Sequence, residues 1–203
     1  SSFLDEDEAA ELLTAVSRSD MASLASATLL LALGLLSLLA FIFGPARADY
    51  LLLFLIALFA ALRTVAVSYL VHSATGSPLL WQHVELVSTM VVFALVSELL
   101  HRFVPPGRCL IYRGFALVFA GLAVVTAVLS LAGVLPLHAF FAPQDLLFLL
   151  FLITTLVFAL LQLRRKDPEA TTLLVTFLLT GLVAAYSIPV SYSVVPFIPD
   201  FDY

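Results

Sequence analysis

The chain has 203 residues, of which 63% are hydrophobic and only 11% charged, and its mean hydropathy is +1.14. So few polar residues cannot cover the surface of a water-soluble globule, so the composition excludes that class and indicates a membrane protein whose partner is the lipid bilayer. The net charge of −5 comes mainly from acidic clusters in the first segment and at the far end, and neither cluster suggests nucleic acid as a partner.

The first segment, residues 1–21, is predicted to form a short amphipathic helix. Apolar residues such as Leu12 and Val16 are interleaved there among carboxylates. We expect this juxtamembrane helix to lie on the outer face of the membrane.

Six long apolar runs follow, each close to the ~20 residues that a helix needs to cross a bilayer. They lie at residues 22–44, 49–72, 82–104, 112–135, 144–163 and 170–192. The predicted fold class is therefore all-α, a polytopic membrane helix bundle over residues 22–192. The very short gap between the first two runs predicts an antiparallel hairpin, and residues 193–203 are expected to form an outer loop.

The orientation follows from the positive residues. Seven of the nine Lys and Arg residues fall in alternate gaps between the runs: Arg47, Arg102, Arg108, Arg113, Arg164, Arg165 and Lys166. Because positive residues near helix ends favour the cytoplasmic side, we expect a multi-pass protein of the cell inner membrane with its N-terminus outside. The most basic gap holds Arg164, Arg165 and Lys166, which are expected to anchor the helix end among anionic headgroups or to contact a cytoplasmic partner.

Arg63 lies inside the second run, where an ionisable group costs ~2.5 to 3.5 kcal/mol and so needs a partner or a water-filled niche. Glu85, on the first turn of the third helix, is the nearest carboxylate in depth, and His83 lies beside it. We expect Arg63 to pair with Glu85 in a partly hydrated pocket that opens outward. The pair either orients two helices as a buried ion pair or lines a ligand site.

Other polar residues give weaker indications of a site. Asp145, at the beginning of the fifth run, either lines the same pocket or is simply solvated at the interface. Glu98 and His101 share a helix face, but no further ligand accompanies them at metal-binding spacing, so we expect no metal site. Cys109 is the only cysteine, which excludes an intrachain disulfide.

Catalytic motifs are absent from the sequence. It contains no HExxH, no GxSxG, no phosphate-binding glycine loop and no paired membrane aspartates, so we do not expect this chain to be an enzyme by itself. The single lysine, Lys166, lies in a predicted cytoplasmic gap, where it cannot form a retinal Schiff base within the helix core. We expect no cofactor.

A family resemblance rests on the stretch from Ala48 to Pro105 and on the basic gap before the sixth helix. The residues that carry it are Asp49, Tyr50 and Leu51 at the entry to the second helix, Arg63 late in that helix, Trp81 and Glu85 around the start of the third, and Phe103 and Pro105 at its exit. In these features the chain resembles bacterial seven-transmembrane receptors with diverse intracellular signalling modules.

The resemblance implies a transmembrane sensory input domain. Such a domain relays a signal, from a small ligand or a periplasmic sensor domain, to a cytoplasmic effector in cis such as a histidine kinase, a diguanylate cyclase or a phosphatase. Signalling through such helices commonly uses a homodimer, but the sequence leaves the oligomeric state open. Two features depart from the family. Six spans are predicted, so a seventh helix is expected to be missing, and Tyr186 to Pro189 stand where family members often carry a polar Asn-Asp pair.

Two other functions fit the composition. A small transporter of a lipid-like molecule would need inverted repeats and broken helices with polar residues at the midplane, and only the region of Pro189 offers anything similar. A structural membrane anchor of a complex is permitted by the scarcity of polar groups.

Overall fold

A computed structural model describes residues 6–44, 48–103 and 109–165, together with the single residues 172, 175, 176 and 179. This part of the chain is helical and contains no strand. Its elements are α1 (Glu6–Phe43), α2 (Ala48–Val67), α3 (Tyr69–Thr75), α4 (Pro78–Phe103), α5 (Cys109–Leu131), a short 3₁₀-helix (Leu137–Phe140) and α6 (Phe141–Arg165).

Five of the described segments are long and apolar enough to cross a membrane. They are Asp20–Phe43, Ala48–Val67, Leu79–Phe103, Leu110–Leu131 and Leu137–Gln162. The all-helical fold and the first five predicted runs are thus confirmed as helices of membrane-spanning length. The sixth run lies almost entirely outside the described residues, so that span, the outer loop at 193–203 and a seventh helix remain predictions.

Two boundaries differ from those that hydropathy predicts. Helix α1 continues without interruption from Glu6 to Phe43, so the juxtamembrane segment and the first span form one element. The second run, predicted as one helix over 49–72, is divided, because α2 ends at Val67 and α3 begins at Tyr69. The division lies in a stretch that is apolar on both sides, so hydropathy alone gives no sign of it.

The chain folds as two compact units, one ending at Leu95 and the other beginning at Val96. In the first unit α1 and α2 form the predicted hairpin, and small residues at their contact allow a close approach. A Cβ atom placed on Gly34 would lie only 3.1 Å from the Cβ atom of Ala57 and 3.5 Å from the ring of Phe54. A side chain at position 34 would therefore require Ala57 to move by a few tenths of an ångström.

The second unit is held by aromatic packing between α5 and α6. The buried residues of each helix recur at intervals of three and four: Tyr112, Ala116, Phe119, Ala123 and Thr126 on α5, and Phe148, Phe151, Leu152, Thr155, Phe158, Ala159 and Gln162 on α6. The ring of Tyr112 lies 5.4 Å from that of Phe158, and the ring of Phe115 meets Phe151 edge to face at 5.6 Å. One apolar stripe on each helix thus faces the other.

We predict that Gly34→Leu loosens the α1–α2 hairpin and lowers the free energy of unfolding by about 1–3 kcal/mol, the usual cost of overpacking. Gly114→Leu on α5 is the matched control, because nothing lies within 4 Å of a Cβ atom at that position. Unfolding midpoints in mixed detergent and dodecyl sulfate micelles measure both changes. Equal losses for the two variants would contradict close packing at Gly34.

Candidate functional site at the helix break

The break between α2 and α3 is made by one residue in an extended conformation. Ser68 has φ −66° and ψ 126°, and it is almost fully buried. Its hydroxyl neither caps α3 nor meets another partner in the described part of the structure. The backbone amides and carbonyls on either side of the break therefore need partners other than the Ser68 hydroxyl.

Two side chains replace one of the backbone hydrogen bonds that the break removes. In a continuous helix the Leu70 amide would donate to the carbonyl of Ala66, four residues earlier. Here the Leu70 amide donates to Oδ2 of Asp20 at 3.0 Å, and the Ala66 carbonyl accepts from Nε2 of His72 at 2.6 Å. The second bond places a proton on Nε2, because a carbonyl oxygen can only accept.

Asp20 reaches the break from the beginning of the first span, 50 positions earlier in the sequence. Asp20 is 5% exposed, and its carboxylate lies at the amino end of α3, where the first amides of a helix have no acceptor within the helix. Asp20 thus acts as a capping residue supplied by a different helix. The hydrogen bond ties the position of α1 to the direction of α3.

The far end of α3 is fixed to α4. Gly76 ends the short helix with φ 63°, a left-handed conformation that glycine adopts without strain. The indole N–H of Trp81, on the first turn of α4, donates to Oγ1 of Thr75 at 2.7 Å. A change in the direction of α3 is therefore transmitted to the beginning of α4.

Arg63 has a different partner from the one that the sequence predicts. Its Nε donates to Oγ1 of Thr89 at 3.0 Å, and the Thr89 hydroxyl donates in turn to the backbone carbonyl of Glu85 at 2.7 Å. No ion pair joins Arg63 to the Glu85 carboxylate in the described residues, so the predicted pair is corrected to a hydrogen bond one helical turn further along α4. The role of both residues in ligand binding stays a prediction.

The remaining predicted site residues are placed as follows. His83 donates from Nδ1 to the carbonyl of Leu79 within its own helix at 2.6 Å. Asp145 lies on the first turns of α6, in the second unit, and its part in a pocket stays a prediction. Arg164 and Arg165 end α6, but their side chains and the whole of Lys166 lie outside the described residues.

No group of three or more His, Cys, Asp and Glu side chains within the described ranges is arranged to hold a metal ion. The polar residues around Ser68 are engaged with the backbone. What this arrangement can do is exchange one set of hydrogen bonds for another, which is a conformational capacity.

Three residues of this site, Asp20, Ser68 and His72, are not identified by sequence reasoning. Asp20 falls within the predicted juxtamembrane helix, residues 1–21, and His72 is the last residue of the second predicted run, 49–72. A serine within an apolar run is a common interhelix residue and gives no local sign of a break. The one available signal is a carboxylate at the beginning of the first span, a position where burial requires a partner.

No family model, curated protein or solved structure matches this chain.

We predict that Asp20→Ala destabilises the first unit by about 1–2 kcal/mol, since it leaves the Leu70 amide without its charged acceptor. Asp20→Asn keeps an acceptor oxygen and is expected to cost less. Hydrogen exchange of the amides at 69–72 and the unfolding midpoint measure the change.

Ser68→Ala is the matched control at the same break. Because the buried Ser68 hydroxyl has no partner, its removal is expected to leave stability unchanged or to raise it slightly. An Asp20→Ala variant as stable as Ser68→Ala would contradict the capping role of Asp20.

Proposed function

We propose that this chain is a transmembrane sensory domain of a bacterial receptor, which relays an extracytoplasmic signal to a cytoplasmic effector in cis and is not itself an enzyme. It lies in the inner membrane with its N-terminus outside, as the distribution of Arg and Lys favours. The observation that carries the proposal is the break at Ser68, where side chains from two helices take up the bond between Leu70 and Ala66. A relay needs an element with two arrangements, and this break provides one.

The two arrangements differ in the backbone bonds across the break, of which the bond between Leu70 and Ala66 is the one that side chains replace. In the first, Asp20 holds the Leu70 amide and His72 holds the Ala66 carbonyl. In the second, the Leu70 amide returns to Ala66, α2 and α3 become one helix, and Asp20 and His72 are released. Since a hydrogen bond contributes ~0.5–1.5 kcal/mol net, and ~1.5–3 kcal/mol with a charged partner, the difference is a few kcal/mol, which the differential binding of a ligand can overcome.

The connections on either side of the break define the direction of the relay. Asp20 belongs to α1, so any displacement of α1 by a ligand or by a periplasmic sensor domain acts directly on the bond to Leu70. The bond between Thr75 and Trp81 passes a change in α3 to α4, which continues to Phe103 at the opposite end of its span. The signal is thus carried by hydrogen bonds between named helices.

A broken helix also favours a transporter, because transporters bind solutes at the ends of discontinuous helices. At this break, however, the Leu70 amide is already bonded to the protein's own carboxylate, and the Ala66 carbonyl to its own imidazole. The groups that would coordinate a solute are therefore engaged. The relay accounts for these bonds better than transport does.

The proposed orientation predicts the accessibility of single cysteines in intact cells, in a Cys109→Ser background. A membrane-impermeant maleimide is expected to label cysteines at Ser77 and His138, which lie in predicted outer gaps. A cysteine at Pro106, in a predicted inner gap, should react only after permeabilisation. The reverse pattern of labelling would contradict the orientation and, with it, the proposed direction of the relay.

The two arrangements of the break predict a change in distance across it. Spin labels at the exposed positions Leu58 and Ala74 would be separated by about 24 Å between Cα atoms in a continuous helix, from a rise of 1.5 Å per residue. Asp20→Ala should shift the distance distribution toward that value, as measured by pulsed electron paramagnetic resonance in lipid nanodiscs.

Asp49→Ala is the control. It removes a carboxylate from the first turn of α2, at the end of that helix away from the break, and should leave the distance distribution unchanged. If wild type, Asp20→Ala and Asp49→Ala gave one and the same distribution, the break would have a single arrangement, and the relay would lose its mechanism.

A further inference from the structure

Two opposite charges within the membrane-spanning segments are not paired with each other. Arg63 lies in the span Ala48–Val67, and Glu85 lies in the span Leu79–Phe103. The Arg63 side chain is exposed and is bonded through Nε alone, while the Glu85 side chain is half-buried and makes no ion pair in the described residues. Both charged groups therefore have unused hydrogen-bonding capacity at the surface of the first unit.

The membrane makes this situation costly. With no water in the hydrocarbon region, charged side chains in spanning helices are almost always turned toward a protein partner or a hydrated cavity. The Thr89 hydroxyl is a neutral acceptor, and it leaves the guanidinium charge uncompensated. The guanidinium therefore keeps donors for a partner beyond the contacts of the described residues.

The two charges lie side by side. Arg63 is bonded to Thr89, and Glu85 precedes Thr89 by four residues, so Glu85 and the residue that Arg63 contacts share one face of α4, about one helical turn apart. Val67, one turn along α2 from Arg63, is 52% exposed and gives this face an apolar neighbour. The surface thus presents a positive group, a negative group and an apolar residue together.

Such a surface is complementary to itself. Around a two-fold axis a residue i of one protomer contacts j of its partner while j contacts i, so one positive and one negative group side by side form two ion pairs at once. We propose that a second copy of this chain covers this face, with Arg63 of each protomer paired to Glu85 of the partner subunit. This interface is additional to the relay, and its test measures association rather than signal output.

Charge reversal distinguishes pairing between chains from pairing within one chain. Arg63→Glu places two negative groups on the face, and Glu85→Arg places two positive groups there. Each variant alone should self-associate at least about tenfold more weakly than wild type, because like charges meet in a medium of low dielectric. Mixed together, the two variants should form a heterodimer with both ion pairs restored, at close to wild-type affinity.

The measurement is energy transfer between fluorescently labelled full chains in liposomes, as the lipid-to-protein ratio is raised. Circular dichroism verifies that each variant is folded, and the neutral variants Arg63→Gln and Glu85→Gln provide a milder test in which self-association also weakens. The control is the same mixing experiment with Glu98→Arg and Arg102→Glu, since Glu98 and Arg102 already pair within α4 at 3.4 Å. Mixing the two control variants should give no more association than either control variant shows alone.

Restored association in the mixture of Arg63→Glu and Glu85→Arg supports the proposal. Two results would overturn it. One is wild-type protein that remains monomeric in liposomes. The other is a double variant, Arg63→Glu with Glu85→Arg, that recovers wild-type behaviour while the mixture of single variants does not, because that outcome assigns the ion pair to a single chain.

Discussion

Ser68 directly follows the span Ala48–Val67 and is almost fully buried, so backbone groups that the break releases there need partners within the protein. Among these groups are the Leu70 amide and the Ala66 carbonyl, which bond to Asp20 and His72. The rest of the first unit depends on this exchange. It explains why a carboxylate is buried at the beginning of the first span and why α3 can leave the direction of α2.

The two units are stabilised by different means. In the first, small residues such as Gly34 bring α1 and α2 close together, and polar side chains bridge helices at Leu70, Thr75 and Thr89. In the second, large rings interlock along α5 and α6, as between Tyr112 and Phe158. Interlocked rings resist sliding, whereas hydrogen bonds between helices can be exchanged with little change in volume. The two-state change that we propose is therefore placed in the first unit.

Much of the fold is predictable from the sequence, because membrane-spanning helices require about 20 apolar residues and those runs are visible directly. The α1–α2 hairpin follows from a gap too short for any other connection. The break at Ser68 could not be found in this way, because its cause lies in Asp20, 50 positions away, and in His72 at the far side of the break. The depth of Arg63 in the membrane predicts a partner near the beginning of α4, and the bond to Thr89 lies one turn beyond the predicted residue. Depth could not distinguish the carboxylate of Glu85 from the hydroxyl of Thr89, one turn further on, because the choice depends on side-chain reach.

The central claim is that the carboxylate of Asp20 replaces the Ala66 carbonyl as the acceptor of the Leu70 amide. Solid-state nuclear magnetic resonance measures it directly in bilayers, by dipolar recoupling between ¹³C in aspartate carboxyl groups and ¹⁵N in leucine amides, with Asp20→Ala to identify the signal by its loss. We expect a coupling in wild type that corresponds to the 3.0 Å hydrogen bond between Leu70 N and Asp20 Oδ2, and its disappearance in the variant. Identical couplings in the two samples would show that Asp20 does not hold the break, and the account built on it would be wrong.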